Sequence, residues 1–172
     1  VWDIENNPPR LLWTLDCLIH VACANFSPDG TKIVTASFDE HDNGASVWDI
    51  INLDANNQPI LLFYGIPHDA EINSANFSSD STKILTASRD GTAKLWDIEN
   101  SDENDLPILL LTINNDREIN SANFSSDSTK IVTANNNGTA KVWDIEYDPP
   151  RAILLSTLTH NGPVYSANFA MF

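Results

Sequence analysis

The chain has 172 residues, with 24 Asp plus Glu against 9 Lys plus Arg, giving a formal net charge of −15. A surface this acidic repels phosphate backbones and anionic lipid, which argues against nucleic-acid and membrane partners and leaves two uses for the charge: solubility, or steering toward basic protein partners. Two cysteines, Cys17 and Cys23, make neither a disulfide framework nor a Cys-x-x-Cys zinc spacing, and no apolar run reaches the roughly 18 residues of a membrane span. That cysteine usage fits a reducing compartment, so a cytoplasmic location is expected.

Taken in chain order, residues 1–4 read as the end of a strand carrying the pair Trp2-Asp3. A connector (ENNPPR) follows, then an outer strand at 10–15 (RLLWTL) that holds Trp13, either a surface anchor or edge packing. Residues 21–26 (VACANF) open a first full unit, with Cys23 as a small packed hydrophobe. The unit continues through the turn NFSPD and a long hairpin at 38–44 to a second pair, Trp48-Asp49. The middle unit is the clearest. Residues 72–77 alternate, with Ile72, Ser74 and Asn76 on one side and Asn73, Ala75 and Phe77 on the other, as a strand requires. A Ser-rich turn precedes the β-branched and apolar stretch KILTAS at 83–88, and Arg89-Asp90-Gly91 is a tight turn. Residues 93–98 then carry Trp96-Asp97, and a polar connector leads through Pro107 to a fourth strand near 108–113. A third unit repeats this order around Trp143-Asp144, and residues 164–169 read as one more first strand.

The Trp-Asp pairs are separated by 46, 48 and 47 residues. The block EINSANFSSDSTKILTA at 71–87 returns at 118–134 with one change, Leu85 to Val132. One supersecondary unit has been copied, and a four-stranded sheet buries its apolar faces only by stacking on its neighbours. Radial stacking leaves only short, protected edges.

On these residues, VWDI, VWDI, LWDI and VWDI with the NFSPD-type turns and the TASRDG-type hairpin, the chain resembles the WD-repeat β-propeller family over nearly its whole length. The resemblance implies an all-β fold, an open arc of four-stranded antiparallel blades forming an incomplete ring. Residues 1–172 would then be one partial propeller, with blades at about 21–65, 72–113 and 119–158 and flanking strands at 1–15 and 164–169. Six to eight blades of roughly 40–45 residues exceed this length. Two readings stay open: a piece of a longer ring, or a half-ring that closes on a second copy, with self-association through open sheet edges as a hazard.

The resemblance also implies a hydrogen-bonded chain inside each blade: His, Ser or Thr, Asp, Trp. The middle unit supplies His68, Ser88, Asp90 and Trp96. The first supplies Ser37, Asp39 and Trp48, with Cys17 where His is expected. The third keeps Trp143 but has Asn115, Asn135 and Asn137 elsewhere, which would make an amide ladder in place of the set. The outer two units should therefore be less rigid than the middle one. His68, Ser88 and Asp90 look like a hydrolase triad. They are shared with a periodic Trp and buried between strands, so the structural reading prevails and no enzyme is expected.

The acidic connector at 101–105 (SDEND) lacks the twelve-residue loop, central Gly and distal Glu of a calcium site, so no metal and no cofactor are expected. His41 reads as loop. The function expected from the resemblance is a non-catalytic scaffold for protein partners. Its contact face would include Phe38, Arg89 and Asn136 before the hairpin turns, and Glu71, Asn73, Glu118, Asn120 and Tyr165 at the entries to first strands. The alternative is a sensor or regulatory region of a larger enzyme whose chemistry lies outside this chain.

Overall fold

The computed structural model describes residues 1–3, 8, 10–15, 20–38, 43–102 and 106–170. Cys17, Asp39 and His41 lie outside the described residues. Among the described residues the fold is all β, with fourteen strands. A two-stranded sheet joins β1 (Trp2–Asp3) to β2 (Arg10–Leu11). The first four-stranded sheet follows chain order: β3 (His20–Phe26), β4 (Lys32–Phe38), β5 (Asn43–Leu53) and β6 (Pro59–Pro67). The second holds β7 (Ile72–Phe77), β8 (Lys83–Ser88), β9 (Thr92–Ser101) and β10 (Pro107–Asn114). The third holds β11 (Ile119–Phe124), β12 (Lys130–Asn135), β13 (Thr139–Tyr147) and β14 (Pro150–Thr159). Every pairing is antiparallel between chain neighbours, and the three sheets stand as an open arc rather than a closed ring.

The core lies between the sheets. The first strand of each blade packs on the inner strands of the blade before it, β7 against β3 and β4, and β11 against β7 and β8. Between the first two blades, Val34, Ala36, Ala45, Val47 and Ile66 meet Ile72, Phe77, Ile84 and Trp96. Between the second and third, Leu85, Ala87, Ala93 and Leu95 meet Ile119, Ala122, Ile131 and Ile145. Strand β8 serves both interfaces, Ile84 one way and Leu85 the other. This is why its sequence is a continuous apolar and β-branched run instead of an alternation.

Two sequence expectations are corrected here. Strict alternation across 72–77 does not hold. A β-bulge between Ile72 and Ser74 places an extra residue, Asn73, in β7, and Ile72 falls in the same cluster as Ala75 and Phe77. The same bulge recurs before Cys23 and Ser121, so it is part of the repeat. Residues 164–169, expected as a flanking strand, belong to no sheet. The segment lies beside β11, but a ladder needs a second backbone, and none of the described residues supplies one for it.

Each first-to-second-strand turn is closed by its own side chains. Ser78 Oγ donates to Asp80 Oδ1 at 2.6 Å, and the same Oδ1 accepts from the Thr82 backbone N–H and hydroxyl at 3.0 and 2.7 Å. Ser27, Asp29 and Thr31 repeat the arrangement, as do Ser125, Asp127 and Thr129. These bonds hold Asp29, Asp80 and Asp127 well below the usual carboxylate range, at about 2.

Candidate protein-interaction face

Within the middle blade the hydrogen-bonded chain forms with one substitution of roles. His68 Nδ1 lies 2.8 Å from Asp90 Oδ2, and His68 Nε2 lies 2.7 Å from Thr86 Oγ1, which also accepts from Trp96 Nε1 at 3.0 Å. An ionised carboxylate only accepts, so Nδ1 carries the proton, Nε2 accepts from the Thr86 hydroxyl, and each buried group is satisfied. Burial lowers the His68 pKa more than Asp90 raises it, so the imidazole is neutral. Asp90 is itself held low by Thr92 and His68 against the opposing effect of burial. The hydroxyl in the chain is therefore Thr86, not Ser88. The indole of Trp96, paired across the ladder with Ile84, reaches Thr86, whereas Ser88 at the strand end bonds Ala70 O at 3.0 Å and accepts from Asp90 N.

The other blades show the same shift. Trp48 donates to Thr35 at 3.1 Å and Trp143 to Thr133 at 3.2 Å, while Ser37 lies across the ladder from Gly44. In the third blade the expected amide ladder does not form. Asn115 accepts from Lys141 Nζ at 2.6 Å, and Asn135 and Asn137 each bond Thr139. Asn115 Nδ2 and Asn135 Oδ1 are buried without a hydrogen-bond partner. Three short amides do not span the distance that an imidazole spans in the middle blade.

Most of the candidate contact residues form one cluster. Arg89, on the hairpin after β8, reaches Glu71 at 2.5 Å and Glu118 of the next blade at 3.1 Å. Glu118 also accepts from Asn73 at 3.3 Å and Asn136 at 3.2 Å. Backbone bonds from Arg89 N to Glu71 O and from Asn136 N to Glu118 O, both 2.9 Å, tie each hairpin to the entry of its own first strand. Beside the cluster is a polar hollow of about 350 Å³, lined by Arg89, Asp90, Asn115, Asp116, Arg117 and Asn136 among others. Asp116 and Arg117 are exposed on its lining. Asn120 and Tyr165 lie apart from the cluster: Asn120 donates to Val164 O at 2.8 Å, and Tyr165 is 74% exposed. Phe38 ends β4, and its side chain is outside what the structure describes.

Sequence reasoning missed the residues that latch blade to blade. Asn25 Nδ2 donates to Ala75 O at 2.9 Å, Asn76 to Ala122 O at 2.9 Å, and Asn123 to Ala167 O at 2.8 Å. A second latch runs the other way, from Ala75 N to Cys23 Sγ and from Ala122 N to Ser74 Oγ, each at 3.1 Å. Burial pushes the Cys23 thiol above its usual range against the opposing effect of the backbone N–H contacts, so it is a packed, protonated side chain. A third latch uses Asn73 and Asn120, the bulge residues, which reach Ile119 O and Val164 O. The signal was available: an Asn precedes the Phe in every copy of the NF motif, at a position where an unrepeated strand would have no reason to hold an amide.

Compared with known families, the chain matches the WD40 family, described as WD domain, G-beta repeat, at residues 11–49, 60–97 and 108–144. No curated protein matches the chain. The three matches cover more than half of the sequence and each ends on a Trp-Asp pair. Stacked four-stranded sheets, periodic indoles each bonded to a threonine of their own blade and three matched repeats together place this chain in the WD40 repeat family.

Proposed function

We propose that this chain is a non-catalytic scaffold segment that docks another protein on the face built by the hairpins at 89–91 and 136–138 and the strand entries at 71–73 and 116–120. WD40 repeats generally mediate protein–protein interaction, and the fold by itself names no partner. The observation that carries the reading is the Glu71–Arg89–Glu118 bridge. It fixes loop residues of two neighbouring blades beside a polar hollow, so that exposed groups such as Asp116 and Arg117 are presented from a rigid base.

The test separates contact from folding. Asp116→Lys with Arg117→Glu changes two exposed side chains outside every ion pair of the described residues. Proteins captured from extract by the wild-type chain and by this variant would be compared by quantitative mass spectrometry, with thermal melting as the control for folding. Specific partners should be lost from the variant by about tenfold, as for removal of an interfacial charge pair, while the melt is unchanged. An identical set of captured proteins would remove this face from consideration.

A further inference from the structure

Three Asn-Gly dipeptides occur in the chain, at 43–44, 137–138 and 161–162. In such a pair the glycine amide nitrogen can attack the asparagine side-chain carbonyl, because glycine carries no Cβ to block the approach. The attack needs a nitrogen that can shed its proton to solvent and a side chain free to swing onto it. The fold treats the three pairs differently.

Gly44 lies inside β5, laddered to Ser37 on one side and Pro67 on the other. Gly138 is buried, and its N–H donates to Asn135 O at 3.2 Å. The Asn137 side chain is held too, since its Oδ1 accepts from Thr139 N and from the Thr139 hydroxyl at 3.1 and 2.7 Å. His160 O and Gly162 O close over Gly138, 2.7 and 3.1 Å from the point where a Cβ would stand. Gly162 is open by comparison. It is exposed, as is Asn161, and a Cβ on Gly162 would meet nothing within 4 Å. Among the described residues no hydrogen bond engages Gly162 N or the Asn161 side-chain amide.

This exposure belongs to the repeat. His160 N donates to Gly138 O at 2.7 Å as Asn115 N donates to Gly91 O at 2.8 Å, so Asn161 holds the place of Asp116. Asp116 is exposed in the interior of the arc, with the whole third blade beyond it, and so is Asp69 one repeat earlier.

We propose that Asn161-Gly162 is a site of covalent self-modification, at which the folded chain turns a neutral amide into a carboxylate. Hydroxide takes the proton from Gly162 N, and that nitrogen bonds to Asn161 Cγ. The side-chain nitrogen leaves as ammonia, and a five-membered imide remains. Water then opens the ring at one carbonyl or the other, giving aspartate or isoaspartate at 161. Water is the only co-reactant, and no atom is oxidised or reduced. An aspartate at 161 adds beside the hairpin at 136–138 the same charge that Asp116 places beside the hairpin at 89–91. An isoaspartate adds a backbone methylene to the segment that closes over Gly138. The reaction requires no partner, so it stands apart from the docking proposed above.

Peptide mapping of the purified chain during incubation reads the outcome, with fragmentation that separates aspartate from isoaspartate. In the folded chain Asn161 should convert at least about tenfold faster than Asn137, whose reaction waits for the hairpin to open. In urea the two should convert at similar rates, because the dipeptide is the same. Conversion at Asn161 should quicken from mildly acidic to mildly alkaline buffer, as loss of an amide proton requires. Gly162→Ala isolates the chemistry from the fold. Gly162 is not among the glycines with positive φ, and its added Cβ meets nothing, so the melt should match the wild type. Conversion at Asn161 in that variant should slow by at least about tenfold, since the Cβ crowds the attacking nitrogen. An Asn161 that stays intact in the folded chain while it reacts in urea overturns the proposal. So does an Asn137 that converts as fast as Asn161 in the folded chain, and so does a Gly162→Ala variant that converts like the wild type.

Discussion

Thr86 is the pivot of the middle blade's buried polar chain, since one hydroxyl both donates to an imidazole and accepts from an indole. Thr86→Val leaves His68 and Trp96 each short of a partner in a dry site and is expected to cost about 1–3 kcal/mol. Ser88→Ala removes a bond to Ala70 and is expected to cost less, about 0.5–1.5 kcal/mol. Urea unfolding of the two variants measures the difference, and equal losses would return Ser88 to the chain. The same site sets a pH dependence. His68 has a folded pKa below its unfolded value, so its contribution is complete above about 6.5 and is lost as pH falls, because the unfolded chain takes a proton that the folded one resists. Asp29, Asp80 and Asp127, at about 2 in the fold, add a second loss with the same sign as pH falls from their unfolded value toward that figure. Urea midpoints taken from neutral to acid pH should therefore decline in two stages. A level midpoint between about pH 7 and 5 would contradict a buried neutral imidazole.

At the scale of the turn, one backbone geometry is met by two residue types. Gly30, Ser81 and Ser128 occupy the same place in successive turns, with φ of 72°, 61° and 56°. Serine is strained there by roughly 1 kcal/mol, yet it has a use that glycine lacks. Ser81 Oγ accepts from Asp29 N at 3.2 Å, and Ser128 Oγ from Ser79 N at 2.8 Å, so each serine ties its turn to the turn of the preceding blade. Ser128→Ala keeps the strain and loses the bond, whereas Ser128→Gly loses the bond and relieves the strain. The alanine variant should therefore be the less stable by about 1 kcal/mol in thermal melting, and the reverse order would mean that the positive φ costs a side chain nothing at this turn. The hairpin glycines answer a different demand. A Cβ on Gly91 would stand 2.9 Å from the Asn115 carbonyl oxygen, where the chain returns from β10, while one on Gly30 would meet nothing within 4 Å. Both have positive φ, so Gly30→Ala should cost about 1 kcal/mol for conformation alone and Gly91→Ala clearly more. Parallel melts of the two variants decide whether the close approach or the dihedral angle dominates.

Across the described residues, the middle blade contributes to both core clusters, and its polar chain is complete. The third blade carries two buried amide groups without partners, Asn115 Nδ2 and Asn135 Oδ1. Amide hydrogen exchange should accordingly be slowest in β8 and β9 and faster in β12 and β13, whose sequences are nearly the same. The triple change Asn115→His, Asn135→Ser and Asn137→Asp rebuilds the middle blade's set in the third. It is expected to stabilise the chain by about 1 kcal/mol and to slow exchange in β12 and β13. Exchange that is already uniform across the blades would mean that ring-to-hydroxyl bonds matter little beside the apolar packing.

The sequence by itself determined the repeat and the strand order within each blade. These follow from period-2 patterning, turn residues and recurrence, all of which are local or can be read by comparing one stretch with the next. Tertiary structure decided the rest. Whether Trp96 meets Thr86 or Ser88 depends on how far an indole reaches across a register. Which face Ile72 occupies depends on a bulge that alternation does not foretell. That Asn76 holds Ala122, and Arg89 holds Glu118, depends on how one blade is set against the next. Such contacts join residues of neighbouring blades, and their geometry exists only once the sheets have stacked.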